Sequence, residues 1–262
     1  MVMVPAGGFK MGSTFSEIKD YLAACRKVDK NCALWWFDDE LPKHDVYLYS
    51  FWIDIFEVTN KEYLEFVLAT DRRPALDETC ETERCWAGNI WKGKSFPEKA
   101  ANQPVTQVSW EDAYEYCAWR GKRLPTEAEW EKAARGPGGG IYPWGDSSPK
   151  GRATYKRKWR GVLTMTNVGS YSRGVSPYGV HDMAGNVWEW VNDWYGRNYY
   201  KNSAKRNPKG PKEGYFRVSR GGSWVNYEDS LRSALRRWSR ADVRFNDTGF
   251  RCAKDHVRKG PS

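Results

Sequence analysis

At 262 residues the chain can hold one large domain or two small ones, and its 15 Trp, 15 Tyr and 10 Phe supply more buriable surface than a disordered chain carries. No run approaches the ~20 apolar residues of a membrane helix, and no basic-then-apolar leader opens the sequence, so a soluble packed protein is expected. The formal net charge of +9 is placed late: residues 147–181 hold seven basic and no acidic side chains.

In chain order, Val46 to Phe56 is rich in aromatic and β-branched residues and reads as strand. Three capped helices follow. Thr59-Asn60-Lys61-Glu62 has the S/T-x-x-E form, with Tyr63, Phe66 and Val67 at helical spacing. Ser109 opens a second, with Trp110, Ala113, Tyr114 and Cys117 on one face, and Thr126-Glu127-Ala128-Glu129 starts a third that presents Trp130, Ala133 and Ala134. From about 136 to 214 Gly, Pro, Asn, Ser and aromatic residues dominate without sustained period, which predicts loops pinned by aromatic packing, ions or disulfides. Within it, Lys156-Arg157-Lys158-Trp159-Arg160 reads either as an electrostatic footprint or as a solvated loop; no nucleic-acid-binding motif accompanies it. Arg217 to Arg220 and Phe250 to Ala253 read as short strands.

Cys25, Cys32, Cys80, Cys85, Cys117 and Cys252 show no CxxC spacing, and His44, His181 and His256 are too few and too scattered for a zinc site. Disulfides fit better: Cys25–Cys32 and Cys80–Cys85 as short closures, leaving Cys117–Cys252 as a long-range pair. Other pairings stay open, as does a cytosolic protein with reduced thiols; oxidation implies an extracytoplasmic setting.

Ordered blocks along the whole chain resemble the formylglycine-generating enzyme/sulfatase-modifying-factor domain: Met3 to Ser13, Glu57-Val58-Thr59-Asn60, Pro104 through Trp130, Tyr142-Pro143-Trp144-Gly145, Asp182 to Trp190, Arg220 to Trp224 and Gly249 to Cys252. The resemblance implies one α+β domain of C-type-lectin-like fold over residues 1–262, with few helices, short strands and long irregular loops. It also implies a disulfide between Cys117 and Cys252. The oxidases of the family bind copper through two thiolates a few residues after the Gly-Gly-Ser motif, and those places hold Asn226 and Leu231, neither of which supplies sulfur. Serine-hydrolase chemistry fails as well, because Val225 breaks the G-x-S-x-G elbow. No cofactor is therefore required. The family's calcium loop maps onto Asp182, Gly185, Val187 and Glu189, a hard-oxygen set suited to a structural calcium; the rival reading has Asn186 and Glu189 satisfying loop groups instead.

The segment 220–251 resembles the variable region of retroelement-diversified variable proteins of the Treponema type. Its frame is Arg220 to Trp224, Leu231-Arg232-Ser233-Ala234, Arg236 and Gly249-Phe250-Arg251, with Glu228 and Trp238 also fixed. Between them stand Val225, Asn226, Tyr227, Asp229, Ser230, Leu235, Arg237, Ser239, Val243, Arg244, Phe245, Asn246 and Asp247, a mixed set without strand or helix period, as in a contact surface. The expectation is a non-enzymatic binding protein that displays these residues to a protein ligand at the cell surface. Membrane attachment would come only through a lipid anchor, for which this chain has no lipobox. The alternatives are an oxidase of the formylglycine-generating type or its inactive paralogue, an ordinary loop in a non-diversified paralogue, and a nucleic-acid binder using residues 147–181.

Overall fold

The computed structural model describes residues 1–76 and 89–256. Its α-helices are α1 (Phe15–Cys25), α2 (Asn60–Thr70), α3 (Trp110–Trp119) and α4 (Glu127–Arg135). Each opens on a reciprocal capping box, formed by Thr14 with Glu17, Thr59 with Glu62, Ser109 with Asp112 and Thr126 with Glu129. Helix α1 lies outside the three expected helices. Its cap has the same spacing, but only Ile18 and Cys25 of the helix are buried, so its apolar period is weak.

Among the described residues the strands are short and fall into three sheets. Strands β1 (Val2–Val4), β4 (Phe51–Ile53) and β9 (Ala253–Asp255) form one, and β2 (Gly7–Met11) pairs with β3 (His44–Leu48) in a second. The third runs β7 (Arg237–Ser239), β6 (Arg217–Arg220), β5 (Trp188–Trp194), β8 (Thr248–Phe250), with β5 and β8 parallel. This is an α+β, C-type-lectin-like arrangement with few helices and long loops. Two expected strands are divided: Val46 to Phe56 breaks at Tyr49-Ser50, and Phe250 to Ala253 breaks at Arg251-Cys252, whose halves join different sheets. Strand β5 interrupts the expected loop region. Most of its residues are buried on both faces, so it shows no polar alternation to read.

One core packs α2 and α3 against β5 and β8 through Tyr63, Phe66, Tyr116, Trp190 and Phe250. The Cys117–Cys252 disulfide lies in it, at a Cα separation of 5.7 Å. A second core joins α4 to β2, β3 and β5 through Trp130, Phe9, Val46 and Val191. A third holds Ile18, Phe37, Trp188 and Leu235 around the Cys25–Cys32 disulfide. Cys80 and Cys85 lie outside the described residues.

Buried ion pairs tie these cores to the C-terminal segment. Glu127 accepts both Nε and Nη2 of Arg236, at 2.8 and 3.0 Å, and Nη1 of Arg220 at 3.1 Å. Arg220 also reaches Glu131 and the carbonyls of Ser233 and Ala234. Arg232 forms a fork on Glu40, at 2.8 and 2.9 Å. Burial pushes the Glu127 carboxyl up, but Arg236 and Arg220 outweigh it and hold the group below its ordinary value. Asp39 is the opposite case. Its Oδ2 accepts from Tyr195 Oη, its Oδ1 is buried without a partner, and burial pushes the carboxyl up to about 6 against the pull of Arg236.

Two outcomes are expected. Opening the 135-residue Cys117–Cys252 loop by double Ala substitution removes about 5 kcal/mol by the chain-entropy relation, against about 2 kcal/mol for the 7-residue Cys25–Cys32 loop, so urea midpoints fall in that order. For Asp39, the native state holds a proton that the unfolded chain has released between about pH 4 and 6, so this group's ionisation costs stability as pH rises through that window. Asp39→Asn is therefore expected to melt above the parent at neutral pH and to converge with it below about pH 4; a constant difference across the range refutes the assignment.

Candidate ligand-binding face

The face is built where the chain leaves β6. Gly222 has φ +73°, and a Cβ on it would meet the Ser230 carbonyl oxygen at 2.5 Å, so the turn can fold back on residues 230–231 only with glycine there. Ser223 and Trp224 then turn inward and are buried, while Val225 and Tyr227 stand 44 % and 50 % exposed. Asp229 and Ser230 are half-buried beside them, and Ser239, in β7, is half-buried.

The rest of the expected contact set behaves otherwise. Asn226 turns inward: its Oδ1 accepts from Ser223 N at 3.0 Å, Ser223 Oγ at 2.7 Å and Trp188 Nε1 at 2.9 Å, so it holds the loop together and offers no free acceptor there. Leu235 is a correction, being buried in the third core against Trp188 and the Cys25–Cys32 bridge. Arg244 is another, buried with its guanidinium on Asp112 and the Gln107 carbonyl. Arg237 pairs with Asp247 at 3.2 Å and lies over the Trp188 and Phe245 rings, which draws Arg237, Phe245 and Asp247 into one half-buried cluster. Val243 packs on the first core, and Asn246 is half-buried with its Nδ2 unpartnered. Conversely, Trp238, read as a frame residue, is 43 % exposed, stacks on Tyr195 and packs at a tilt against Phe216. These departures share one cause. Spacing in the sequence locates the frame, but a chain without strand or helix period gives no phase from which to tell inward from outward.

The opposite wall was not legible as a site. Cys25, Val28, Asp29 and Trp36 face Val225, Tyr227, Asp229 and Ser230 across a depression of about 450 Å³. Trp35, 61 % exposed, packs edge-on beside Trp36. The one available signal was an adjacent Trp pair following a Cys-closed polar loop.

The positions of the family's copper thiolates do not fit copper here. Asn226 presents an amide already held by three donors, and Leu231 is fully buried. The expected calcium set is corrected at Glu189. Both its oxygens are taken, by Arg251 Nε and Nη2 at 2.6 and 2.7 Å and by Trp130 Nε1 at 2.8 Å. Asp182 sits in the left-handed turn at φ 57° and accepts from Gly169 N. Val187 is buried, and Gly185 is close-packed on the Thr154 carbonyl. Glu57 joins this site unannounced by the sequence. Its Oε2 accepts from Asn186 Nδ2, its Oε1 is buried without a partner, and burial together with Asp182 and Glu189 pushes its carboxyl well above the ordinary range. Among the described residues no three Asp, Glu, His or Cys side chains are grouped to hold a metal, so a hard cation here would rest on Glu57, Asp182 and loop carbonyls.

The sulfatase-modifying factor enzyme 1-like domain matches residues 1–256. Bovine formylglycine-generating enzyme is 32 % identical, over 98 % of this chain and 75 % of that protein. The bovine inactive C-alpha-formylglycine-generating enzyme 2 is 33 % identical, over 97 % of this chain and 87 % of that protein. In structure, Treponema denticola variable protein 1 superposes at a TM-score of 0.68 and 22 % identity, over 97 % of this chain and 94 % of that one, which is a likeness of fold. The family thus contains both a formylglycine-generating enzyme and a relative named inactive, and its fold also carries a variable protein. With nearly its whole length matched and relatives of this identity, the chain belongs to the sulfatase-modifying factor enzyme 1-like family.

Proposed function

We propose that this chain is a non-catalytic binding protein that presents Val225, Tyr227, Asp229, Ser230 and Ser239, with the facing Trp36 and the adjoining Trp35, to a protein ligand outside the cytoplasm, at the cell surface. The observation that carries the reading is the state of the two thiolate positions: Asn226 is spent on Ser223 and Trp188, and Leu231 is buried, so no sulfur ligand faces the depression from those places. The two disulfides among the described residues support an oxidising compartment, and no described helix is long and apolar enough to cross a membrane. A pre-ordered contact surface loses less conformational entropy on binding, and exposed Tyr and Trp give contact area at low entropic cost. Diversification of the exposed positions is part of the proposal.

The direct test adds Cu(I) and a cysteine-containing peptide to the purified protein. No aldehyde product and no stoichiometric copper is the expected result; turnover supports the oxidase reading instead. Tolerance to substitution supplies a second measurement. Changes at Val225, Tyr227 and Ser239 are expected to alter stability by less than about 0.5 kcal/mol, whereas Arg236→Met, which removes two of the three guanidinium contacts to buried Glu127 and leaves only Arg220, is expected to cost about 3 kcal/mol. We further propose a structural calcium at the Asp182 turn. Millimolar calcium should raise the melting temperature and a chelator lower it, with Glu57→Gln abolishing the response; a melting temperature indifferent to calcium removes the ion from the account.

A further inference from the structure

Beside the display loop lies a second surface that the functional reading leaves unused. Lys156, Arg157, Lys158 and Arg160, with Leu163, line a depression of about 340 Å³. The loop carrying them is joined to the display loop by its backbone, Lys156 N donating to the Asn226 carbonyl at 2.9 Å and Arg157 N to the Trp224 carbonyl at 2.8 Å. It is also held from beneath. Trp159 packs on Trp224 at 5.6 Å between ring centroids, Arg157 donates to the Thr164 carbonyl and to Tyr171 Oη, and Arg160 N donates to Thr164 Oγ1. The cations are therefore gathered on an ordered loop.

Their charge is largely unanswered. Lys156 shares Glu228 at 3.1 Å, while Lys158 and Arg160 are exposed and have no carboxylate partner among the described residues. Leu163, 70 % exposed, supplies an apolar rim. We propose that this depression is an acidic-peptide subsite, which takes Asp or Glu side chains of the same protein ligand whose neighbouring surface meets Val225 and Tyr227. The inference deepens the reading of the display face and rests on it. Two observations favour acidic peptide over nucleic acid. The depression is at the small end of the ~300–1,000 Å³ range of ligand pockets, a size that suits a few side chains. Its lining of Lys156, Arg157, Lys158, Arg160 and Leu163 includes no aromatic ring on which a base could stack; of the rings beside it, Trp159 is half-buried against Trp224 and Tyr227 lies under Lys156.

The test uses the full chain and two fluorescein-labelled probes, hexaglutamate and hexathymidylate, followed by anisotropy at about 0.15 M salt. Saturable hexaglutamate binding, tighter than that of hexathymidylate, is expected. Lys158→Gln/Arg160→Gln should weaken it about tenfold, and Lys209→Gln/Lys212→Gln, which removes the same charge elsewhere, should leave it within about twofold. The Cu(I) and cysteine-peptide assay tests the display reading independently of these probes, so failure of that reading and failure of this subsite read out separately. Absence of saturable peptide binding, tighter binding of hexathymidylate, or equal losses in the two double variants would overturn the proposal.

Discussion

The set of buried arginines facing carboxylates holds the C-terminal segment in place. Arg220, Arg232 and Arg236 flank or follow the display loop, and each meets a carboxylate brought from elsewhere: Glu127 and Glu131 from α4, Glu40 from the turn before β3. Taking such ions out of water costs several kcal/mol apiece, and only matched partners with further hydrogen bonds offset it. A shifted register would leave a charge buried alone. The pairs therefore act chiefly on conformational choice, selecting one path for the backbone between β6 and β7.

That arrangement lets the proposed binding surface coexist with an irregular chain. The frame residues carry the hydrogen bonds and the packing, so the exposed side chains between them have little structural duty. Asn226 marks the boundary. Placed where the oxidases of the family carry a metal-binding thiolate, it serves here as the acceptor for Ser223 and Trp188 and closes the loop on itself. The chemistry of the site and the order of its backbone thus meet in one side chain.

Much of this was legible in the sequence, unevenly. Thr59, Ser109 and Thr126 announced their helices because capping is a local, stereotyped interaction. The Gly221-Gly222-Ser223 turn and the Cys117–Cys252 bridge were legible through resemblance and spacing. Strand β5 was hidden by burial on both faces, and α1 by its narrow apolar stripe. Within the site, Leu235 and Arg244 looked like contact residues because nothing nearby in sequence shows that Trp188 and Asp112 await them. Glu57 was invisible as a member of the Asp182 site for the same reason, its partner Asn186 lying 129 residues away.

The backbone pairing of Lys156 with Asn226 and Arg157 with Trp224 has a further bearing on recognition. It occupies main-chain acceptors of the display loop that an incoming extended segment would otherwise use, so strand addition is closed to a partner at that edge. On the proposed reading, recognition at that edge then rests on side chains carried by a main chain whose path is already set.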